Sequence, residues 1–462
     1  MPTETELASA LVKKLAEVVI GGEDVVGIPA PAGSFVSFCY PGIAVDGSDF
    51  DFSFLTPLGT QGSAAADFAS LVNSIPPITG RFLPTAETIP DIYAEILRDK
   101  QLPQVSLAAS EKKELAAALA VVVREITTID PATGGTVQRP ADTPLYERYK
   151  ELEQAYIAAA LAYRSLQVDL LFRGDERSKA EWALKGPLYQ QQRKSAYNSW
   201  LPVKGEIEKA LGKIDALSNR GPESYWLELK ERFDNSKFSS AEGEEYYFTK
   251  YFPSKFWDAA HVAGWTRFTM THNEVHEINE SSSMSASLGG GFGGGLWNVS
   301  GSGSYSEQKT YFKSDSQNLS VDLKLTMIPI RRTWLDATVF SNRAWRLDEN
   351  INKSDYSDGG DPPQGRMPAI ATAMNVAREL KLGVDMSSTE NSSFASQLKV
   401  SMSGGWGPFS VRGNYSRNTS RTTHDYVMSA AGIEAPGMQI IGFVCRATPK
   451  SPNPDDTLNW PQ

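Results

Sequence analysis

The chain has 462 residues, 41% of them hydrophobic and 22% charged, which is enough apolar material for a large core and excludes wholesale disorder. Its 55 acidic and 45 basic residues leave a net charge of −10, which argues against a nucleic-acid binder because such proteins carry a basic face. Two cysteines, Cys39 and Cys445, cannot form a disulfide framework, and four histidines leave little scope for imidazole chemistry.

The composition changes near residue 250, from Ala, Leu, Glu, Lys and Gln before it to Ser, Gly, Thr, Asn and aromatic residues after it. Such a shift is typical of a change in structural class. We predict an α+β protein with a helical N-terminal part and a β-rich C-terminal part. The predicted regions are a mixed α and extended region (1–105), a helical bundle region (106–250), a β-rich domain (251–450) and a Pro-rich tail (451–462).

Helix-forming runs cover residues 5–20 and 110–129, and Ser110 is the predicted N-cap of the second helix. Between these helices, polar and apolar residues alternate at 34–39 and 51–54. This alternation predicts short strands or extended segments.

Two groups of residues have the composition of metal sites. The first is an acidic loop that holds Asp46, Asp49 and Asp51. The EF-hand pattern is incomplete there, so the sequence favours a solvated turn and leaves a weak calcium site as the alternative. The second is His272 and His276 with Glu274 between them. On a strand the two imidazoles would lie about 13 Å apart, too far for one ion, and we predict no metal.

The clearest helix begins at Thr143-Pro144 and carries an apolar stripe at spacings of four and three residues from Leu145 to Leu170. This pattern predicts a helix of about 28 residues that packs along a partner helix. The predicted partner is 187–217, where Pro202 should kink or break the helix. An intramolecular antiparallel pair is favoured by the tyrosines in the stripe, and an intermolecular coiled coil is the alternative.

An internal repeat occupies the second half of the chain. A shift of 110 residues aligns 280–306 with 390–416 without a gap, and ten of the 27 aligned pairs are identical. A period of this length indicates one duplicated supersecondary unit rather than a solenoid.

Within each copy, apolar and polar residues alternate, as in strands with two different faces. Glycine-rich runs at 289–295 and 404–408 are the predicted reversal points. We therefore predict two long antiparallel hairpins, at about 264–330 and about 374–446. Their predicted tips are Gly291, Phe292, Gly293, Gly405, Trp406 and Gly407.

The arms of these hairpins would run to roughly 25–30 residues, against a usual strand of about 5–6. Amphipathic hairpins that join a multi-subunit β-barrel explain both this length and the serine-rich face. In this pattern, over about 150 residues, the sequence resembles the stem hairpins of β-barrel pore-forming proteins such as aerolysin-like or perforin-like toxins. The resemblance implies a self-assembling, membrane-acting protein. The alternative is a structural assembly protein that forms a filament, tube or shell through the same hairpins with no membrane role.

The sequence contains no nucleophile elbow, Walker loop or zinc-protease motif, so we predict a non-enzymatic protein without a cofactor. The expected partners are further copies of the chain and a lipid membrane, and no nucleic acid. No export signal precedes the first helix, so we expect a cytoplasmic protein, or one released without a signal peptide that then associates with a membrane.

Tryptophan and arginine suit the interface between a membrane and water. The residues predicted at such an interface are Trp297, Arg331, Arg332 and Trp334. A packed connector with exposed arginines is the alternative.

Overall fold

A computed structural model describes residues 4–20, 33–52, 61–78, 82, 84–104, 107–129, 135–173, 175–218, 222–240, 243–258, 264–280, 319–348, 356–383, 387, 389–390, 392–394, 396, 405–415, 422–425, 427–429, 432–435 and 437–461. The helices are α1 (Glu4–Ile20), α2 (Gln61–Val72), α3 (Ile89–Asp99), α4 (Ala109–Val122), α5 (Pro144–Arg173), α6 (Glu176–Ser218), α7 (Pro222–Asp234) and α8 (Val275–Glu280).

The strands before residue 320 are β1 (Ser34–Val45), β2 (Lys100–Gln101), β3 (Val123–Ile129), β4 (Thr136–Asp142), β5 (Lys237–Ser239), β6 (Glu245–Tyr247), β7 (Lys250–Tyr251) and β8 (Thr266–Met270). The later strands are β9 (Val321–Arg331), β10 (Arg346–Leu347), β11 (Ala369–Leu382), β12 (Gly405–Trp406), β13 (Phe409–Ser410), β14 (Arg412–Tyr415), β15 (Thr422–Asp425), β16 (Val427–Ser429), β17 (Gly432–Ala435) and β18 (Met438–Ala447). Long helices in the first half and antiparallel strands in the second confirm the predicted α+β fold.

The principal sheet is antiparallel and runs in the order β1–β18–β11–β9–β8. β17 and β18 pair with successive parts of β11, and β7 and β8 pair with different parts of β9. β16 pairs with β17. The N-terminal region thus contributes β1 to the sheet of the β-rich domain.

Both faces of this sheet are covered. Along β9, Val321, Leu323 and Leu325 point into a core that they share with α1, α8 and part of α5. Ile328 and Ile330 point into a second core, on the other face, that they share with α2. At the start of β9, buried residues alternate with half-buried ones, whereas near its end most residues are buried. The start of β9 therefore has one buried face, and its end is covered on both faces.

The two long helices, α5 and α6, form the antiparallel intramolecular pair that the heptad stripe predicts. Aromatic side chains fill the seam: Tyr149 and Tyr156 contact Trp200, with ring centroids 5.5 Å apart in each case. Further along, Tyr163 contacts Trp182 at 5.6 Å. These contacts run in opposite directions along the two helices, which establishes the antiparallel arrangement.

α6 continues through both of its prolines, Pro187 and Pro202, so Pro202 does not break the helix, and of the two predicted outcomes only a kink remains. Proline removes one backbone hydrogen bond and strains the preceding turn. Trp200, which is buried two residues earlier, packs across the seam and holds the helix at this point.

The helix predicted over 110–129 is confirmed as far as Val122, where α4 ends, and is wrong from Val123 to Ile129, which form β3. The β-branched residues of β3 favour a strand, and they pair in register with β4. The N-cap is Ala108 rather than Ser110, and Glu111 accepts a hydrogen bond from the backbone N–H of Ala108 (3.0 Å). At 51–54, Asp51 and Phe52 lie outside any strand, and the next two residues lie outside the described part of the chain.

The two faces of α5 predict different costs for two leucine truncations. Leu161 is 3% exposed and packs on the sheet, whereas Leu152 is half-buried in a groove beside Leu188. We expect Leu161→Ala to lower the free energy of unfolding by about 2–5 kcal/mol, and Leu152→Ala by clearly less. Urea unfolding of the two variants measures the difference, and equal losses would contradict the assignment of the two faces.

Candidate functional site

Four strand ends lie in one row across the principal sheet. Met270 of β8 is opposite Val321 of β9, Val321 is opposite Leu382 of β11, and Leu382 is opposite Ile433 of β17. We call these four residues the root row. All four are at most 3% exposed and belong to the core shared with α1.

The root row shows that two insertions leave one end of the sheet. Residues 271–320 connect β8 to β9 and form an insertion of 50 residues. Residues 383–431 connect β11 to β17 and form an insertion of 49 residues, which includes β16, the partner of β17 in the same sheet. Each therefore starts and ends on neighbouring antiparallel strands, which is the geometry of a hairpin. The first and last residues of each predicted hairpin lie in strands that pair with each other, β8 with β9 in the first hairpin and β11 with β17 and β18 in the second.

The first insertion does not continue as a strand. A short 3-10 helix, His272–Glu274, leads into α8, whose Val275 and Ile278 are buried in the core that contains α1. The hairpin arm predicted from residue 264 onward is therefore wrong between residues 272 and 280. Asn279 holds the end of α8, since its side chain donates to the backbone oxygen of Glu6 (2.7 Å).

Four charged side chains meet at the start of the first insertion. We call them the root cluster: Lys14, Asp169, Arg173 and Glu274. Lys14 is 1% exposed. Its ammonium donates to Glu274 Oε2 (2.6 Å), to Asp169 Oδ1 (2.9 Å) and to the backbone oxygen of Thr269 (2.8 Å). An ammonium has three donors, so Lys14 is saturated and ties α1 to α5, to β8 and to the first insertion.

Glu274 is the member of the root cluster that belongs to the insertion. It is 2% exposed and also accepts hydrogen bonds from Arg173 Nε (2.8 Å) and Thr271 Oγ1 (3.0 Å). Arg173 donates in addition to Thr269 Oγ1 (2.6 Å). A buried carboxylate is costly unless it is paired, and here two cations and a hydroxyl compensate it. The start of the first insertion is therefore held by ion pairs that its extension would break.

The helical conformation of residues 272–280 also determines where the two predicted histidines lie. His272 and His276 lie on a helical segment rather than on the strand that the sequence predicts. The carboxylate between them is engaged by Lys14 and Arg173. No group of three or more metal-ligating side chains occurs in the part of the chain that the structure describes.

The acidic loop caps a short helix. Asp46 Oδ1 accepts from the backbone N–H of Ser48 (2.7 Å), and Asp49 Oδ2 accepts from that of Asp46 (2.8 Å). Together they form a capping box on the 3-10 helix Gly47–Phe50, and Asp51 follows as its C-cap. Capping accounts for the spacing of the first two carboxylates.

The second insertion also begins with helical residues, at 389–390, 392–394 and 396. Phe394 is buried in the core shared with α1. The strand parity predicted for Phe394 is therefore wrong. The predicted alternation of buried and exposed residues holds up to the end of β11, where Leu380 and Leu382 are buried and Glu379 is exposed.

The predicted tip at Gly405, Trp406 and Gly407 is a reversal, as expected. β12 and β13 pair across a two-residue turn, in which Gly407 has a φ of +57°. A side chain on Gly405 would come within 2.5 Å of Pro41 Cβ on β1. Trp406 and Phe409 are fully buried, so this reversal is packed against β1 and does not project from the molecule. The first predicted tip, at Gly291, Phe292 and Gly293, lies outside the described residues.

The residues predicted at a membrane interface are placed inside the protein, where the structure describes them. Trp334 is fully buried among the helices of the first half. Arg332 donates to Asn73 Oδ1 (2.7 Å) and to the backbone oxygens of Ala371 (2.7 Å) and Val72 (2.6 Å). Burial lowers the pKa of the Arg332 guanidinium to about 9.

Arg331 is paired with Glu153 of α5 (2.5 Å), and Trp297 lies outside the described residues. The segment around 331–334 is thus a packed connector whose arginines are partnered. The interface prediction is wrong for Arg332 and Trp334, because the sequence alone does not show what the connector packs against.

Sequence reasoning missed the root cluster. Its four members are spread over α1, α5 and the start of the first insertion, so no local spacing connects them. The one available signal was Lys14 within an otherwise apolar helix face, flanked by Leu11, Leu15 and Val18.

Among the described helices, none combines the length and the apolar character needed to cross a membrane. Comparisons of the chain with protein-family models, with curated proteins and with solved structures found no match. The functional argument therefore rests on the root row, the root cluster and the sequence of the two insertions.

The root cluster predicts a large loss of stability when its carboxylate is neutralised. Glu274→Gln leaves the buried Lys14 with Asp169 as its remaining ion-pair partner and removes the ion pair of Arg173, and we expect the free energy of unfolding to fall by about 3–5 kcal/mol. The matched control is Glu208→Gln in α6, whose carboxylate forms an i,i+4 pair with Lys204 on the surface; it should change stability by about 1 kcal/mol or less. Chemical denaturation measures both, and similar losses would contradict the structural role of Glu274.

Proposed function

We propose that the protein is a non-enzymatic, self-assembling, membrane-acting protein of the pore-forming type, whose two insertions open into hairpins that build an oligomeric β-barrel. The observation that carries the proposal is the root row. Two insertions of 50 and 49 residues, each between antiparallel neighbours, leave the same end of one sheet. If each extended along its strands, the result would be four contiguous antiparallel strands on one ribbon.

The length of the insertions suits a membrane. Half of a 50-residue insertion, extended at about 3.3 Å per residue, reaches roughly 80 Å. The hydrocarbon core of a bilayer is about 30 Å thick, and a tilted spanning strand needs only about 9–11 residues. Each arm therefore has enough chain to cross the bilayer and to bridge the distance from the sheet.

The charges of the insertions also support the proposal. Residues 281–306 contain no Asp, Glu, Lys, Arg or His, and residues 391–411 contain Lys399 as their one charged residue. Moving a charge through the bilayer is costly, so the segments that would cross first are the ones with the fewest charges. The charged residues of the first insertion fall within 272–280 and 307–315, on either side of this stretch in the sequence.

The helical start of the first insertion defines which contacts must break before the insertion can extend. For the first insertion to extend from β8, residues 272–280 must leave α1 and convert to strand, since α8 now lies across that path. The strand formed would keep its backbone paired within the new sheet, as a membrane environment requires. Linking α8 to α1 should therefore stop the conversion without altering the folded protein.

This reasoning predicts the effect of a reversible crosslink. Glu6 and Asn279 are in contact across α1 and α8, so Glu6→Cys combined with Asn279→Cys accepts a cleavable thiol-reactive linker. Burial raises the pKa of the native thiols Cys39 and Cys445, which keeps them unreactive. We expect the unmodified protein to release dye from loaded liposomes, the linked variant to be silent, and cleavage of the linker to restore release.

The control is a linker within one helix, placed by Lys204→Cys with Glu208→Cys on α6, which should leave dye release unchanged. Dye release by the linked Glu6/Asn279 variant at the rate of the unlinked one would refute extension of the first insertion. Liposomes that stay intact with the unmodified protein in every lipid mixture would refute membrane action.

Assembly is tested separately, by electron microscopy of the protein on lipid monolayers. We expect rings of subunits, because a closed barrel requires a closed ring. Extended polymers that form in the absence of lipid would instead support the structural-assembly alternative.

A further inference from the structure

A polar cleft of about 450 Å³ lies between α5, α6 and the β8–β9 pair. It opens directly beside the root cluster, and Asp169 and Arg173 belong to both. The other charged residues that line it are Arg177, Glu181, Lys185, Arg267 and Asp322. Its volume falls within the range of about 300–1,000 Å³ typical of small-ligand sites.

The carboxylates of the cleft are already neutralised. Asp322 receives a two-pronged pair from Arg267 (3.0 and 2.6 Å). Glu181 is paired with Lys185 (2.7 Å) on the same helix. Asp169 is paired with Lys14 (2.9 Å) from below. The cleft therefore has little remaining capacity to attract a cation.

Besides Arg267, which is paired with Asp322, the cleft has two guanidinium groups, those of Arg173 and Arg177, and these are not neutralised to the same extent. Arg177 takes part in none of the ion pairs found among the described residues. Arg173 uses its Nε and one terminal nitrogen on Glu274 and Thr269, and its side chain remains about a quarter exposed. The hydroxyl groups of Ser165 and Thr271 also line the cleft, but they already donate to the backbone oxygen of Arg267 (2.8 Å) and to Glu274 (3.0 Å). The donors left for a ligand are therefore those of the guanidinium groups, whose planar arrangement of N–H groups suits phosphate oxygens.

We propose that this cleft binds a phosphate monoester, as a free anion or as the headgroup of a lipid, through Arg173 and Arg177. The bound dianion adds negative charge beside Glu274 and Asp169, and it shares the guanidinium that holds Glu274. Binding therefore weakens the attachment of the first insertion, and release of the insertion strengthens binding, since linkage is reciprocal. The binding step stands on the cleft alone, whereas its coupling to insertion rests on the proposed function.

Calorimetric titration of the full chain with inorganic phosphate tests the site. We expect saturable binding with one site per chain, and Arg177→Gln should weaken it about tenfold or more, as expected for a charge-assisted hydrogen bond. Lys179→Gln is the matched control, because Lys179 lies on the same helix, is exposed and pairs with Glu176 (2.9 Å) outside the cleft. Absence of binding, or equal weakening by both variants, would overturn the proposal.

Sedimentation with phosphatidylcholine vesicles, with and without phosphatidic acid, separates the two sources of the group. Binding that requires phosphatidic acid and falls in Arg177→Gln identifies a lipid headgroup. Binding of inorganic phosphate without any preference for those vesicles identifies a soluble phosphate. Phosphate binding without dye release from any vesicle would refute the proposed function and leave the site intact, and dye release without phosphate binding would do the reverse.

Discussion

The pairing of β9 with β11 is the constraint on which the rest of the structure depends. It joins β7, β8 and β9 to β1, β18, β11, β17 and β16 in one sheet, and the register of Val321 opposite Leu382 brings both insertions to one level. A slip of one residue would turn the apolar parity of β9 away from α1. Near the root, a bulge at Glu379, with a φ of +56°, shifts the register, and Lys324 pairs with that residue across the strands (2.7 Å).

The root cluster is a costly way to hold a helix. An apolar contact between α8, α1 and α5 would satisfy the same packing without the desolvation of four charges, and buried ion pairs often contribute little net stability. What the cluster does supply is dependence on the position of Glu274, because Lys14 and Arg173 each lose an ion-pair partner when Glu274 leaves. Under the proposed function, such an arrangement would favour two distinct states of α8, docked or released, over a continuum.

The sequence predicted the strands of the principal sheet well and the first residues of the two insertions poorly. The physical reasons for the two outcomes differ. The alternation of Val321, Leu323 and Leu325 is local, and it correctly indicated a strand with one buried face. The conformation of 272–280 depends on partners more than 100 residues away, Lys14 and Arg173, so its local alternation predicted the wrong structure. Equally, no local pattern could show that β1 pairs with β18 or that Trp334 is enclosed by helices.

The core shared by the two insertions constrains how either could extend. Val275 and Ile278 of the first insertion and Phe394 of the second are buried in the same core as Leu11 and Leu15 of α1. Removal of one insertion would expose apolar surface on α1, at a cost of about 25 cal/mol per Å² in water, and would uncover the contacts of the other. Under the proposed function, extension in water would therefore be opposed, and a membrane or a neighbouring subunit would have to cover that surface. Because both insertions pack in the core that contains α1, the proposed function implies that departure of one insertion would lower the cost of the second and that the two would leave together.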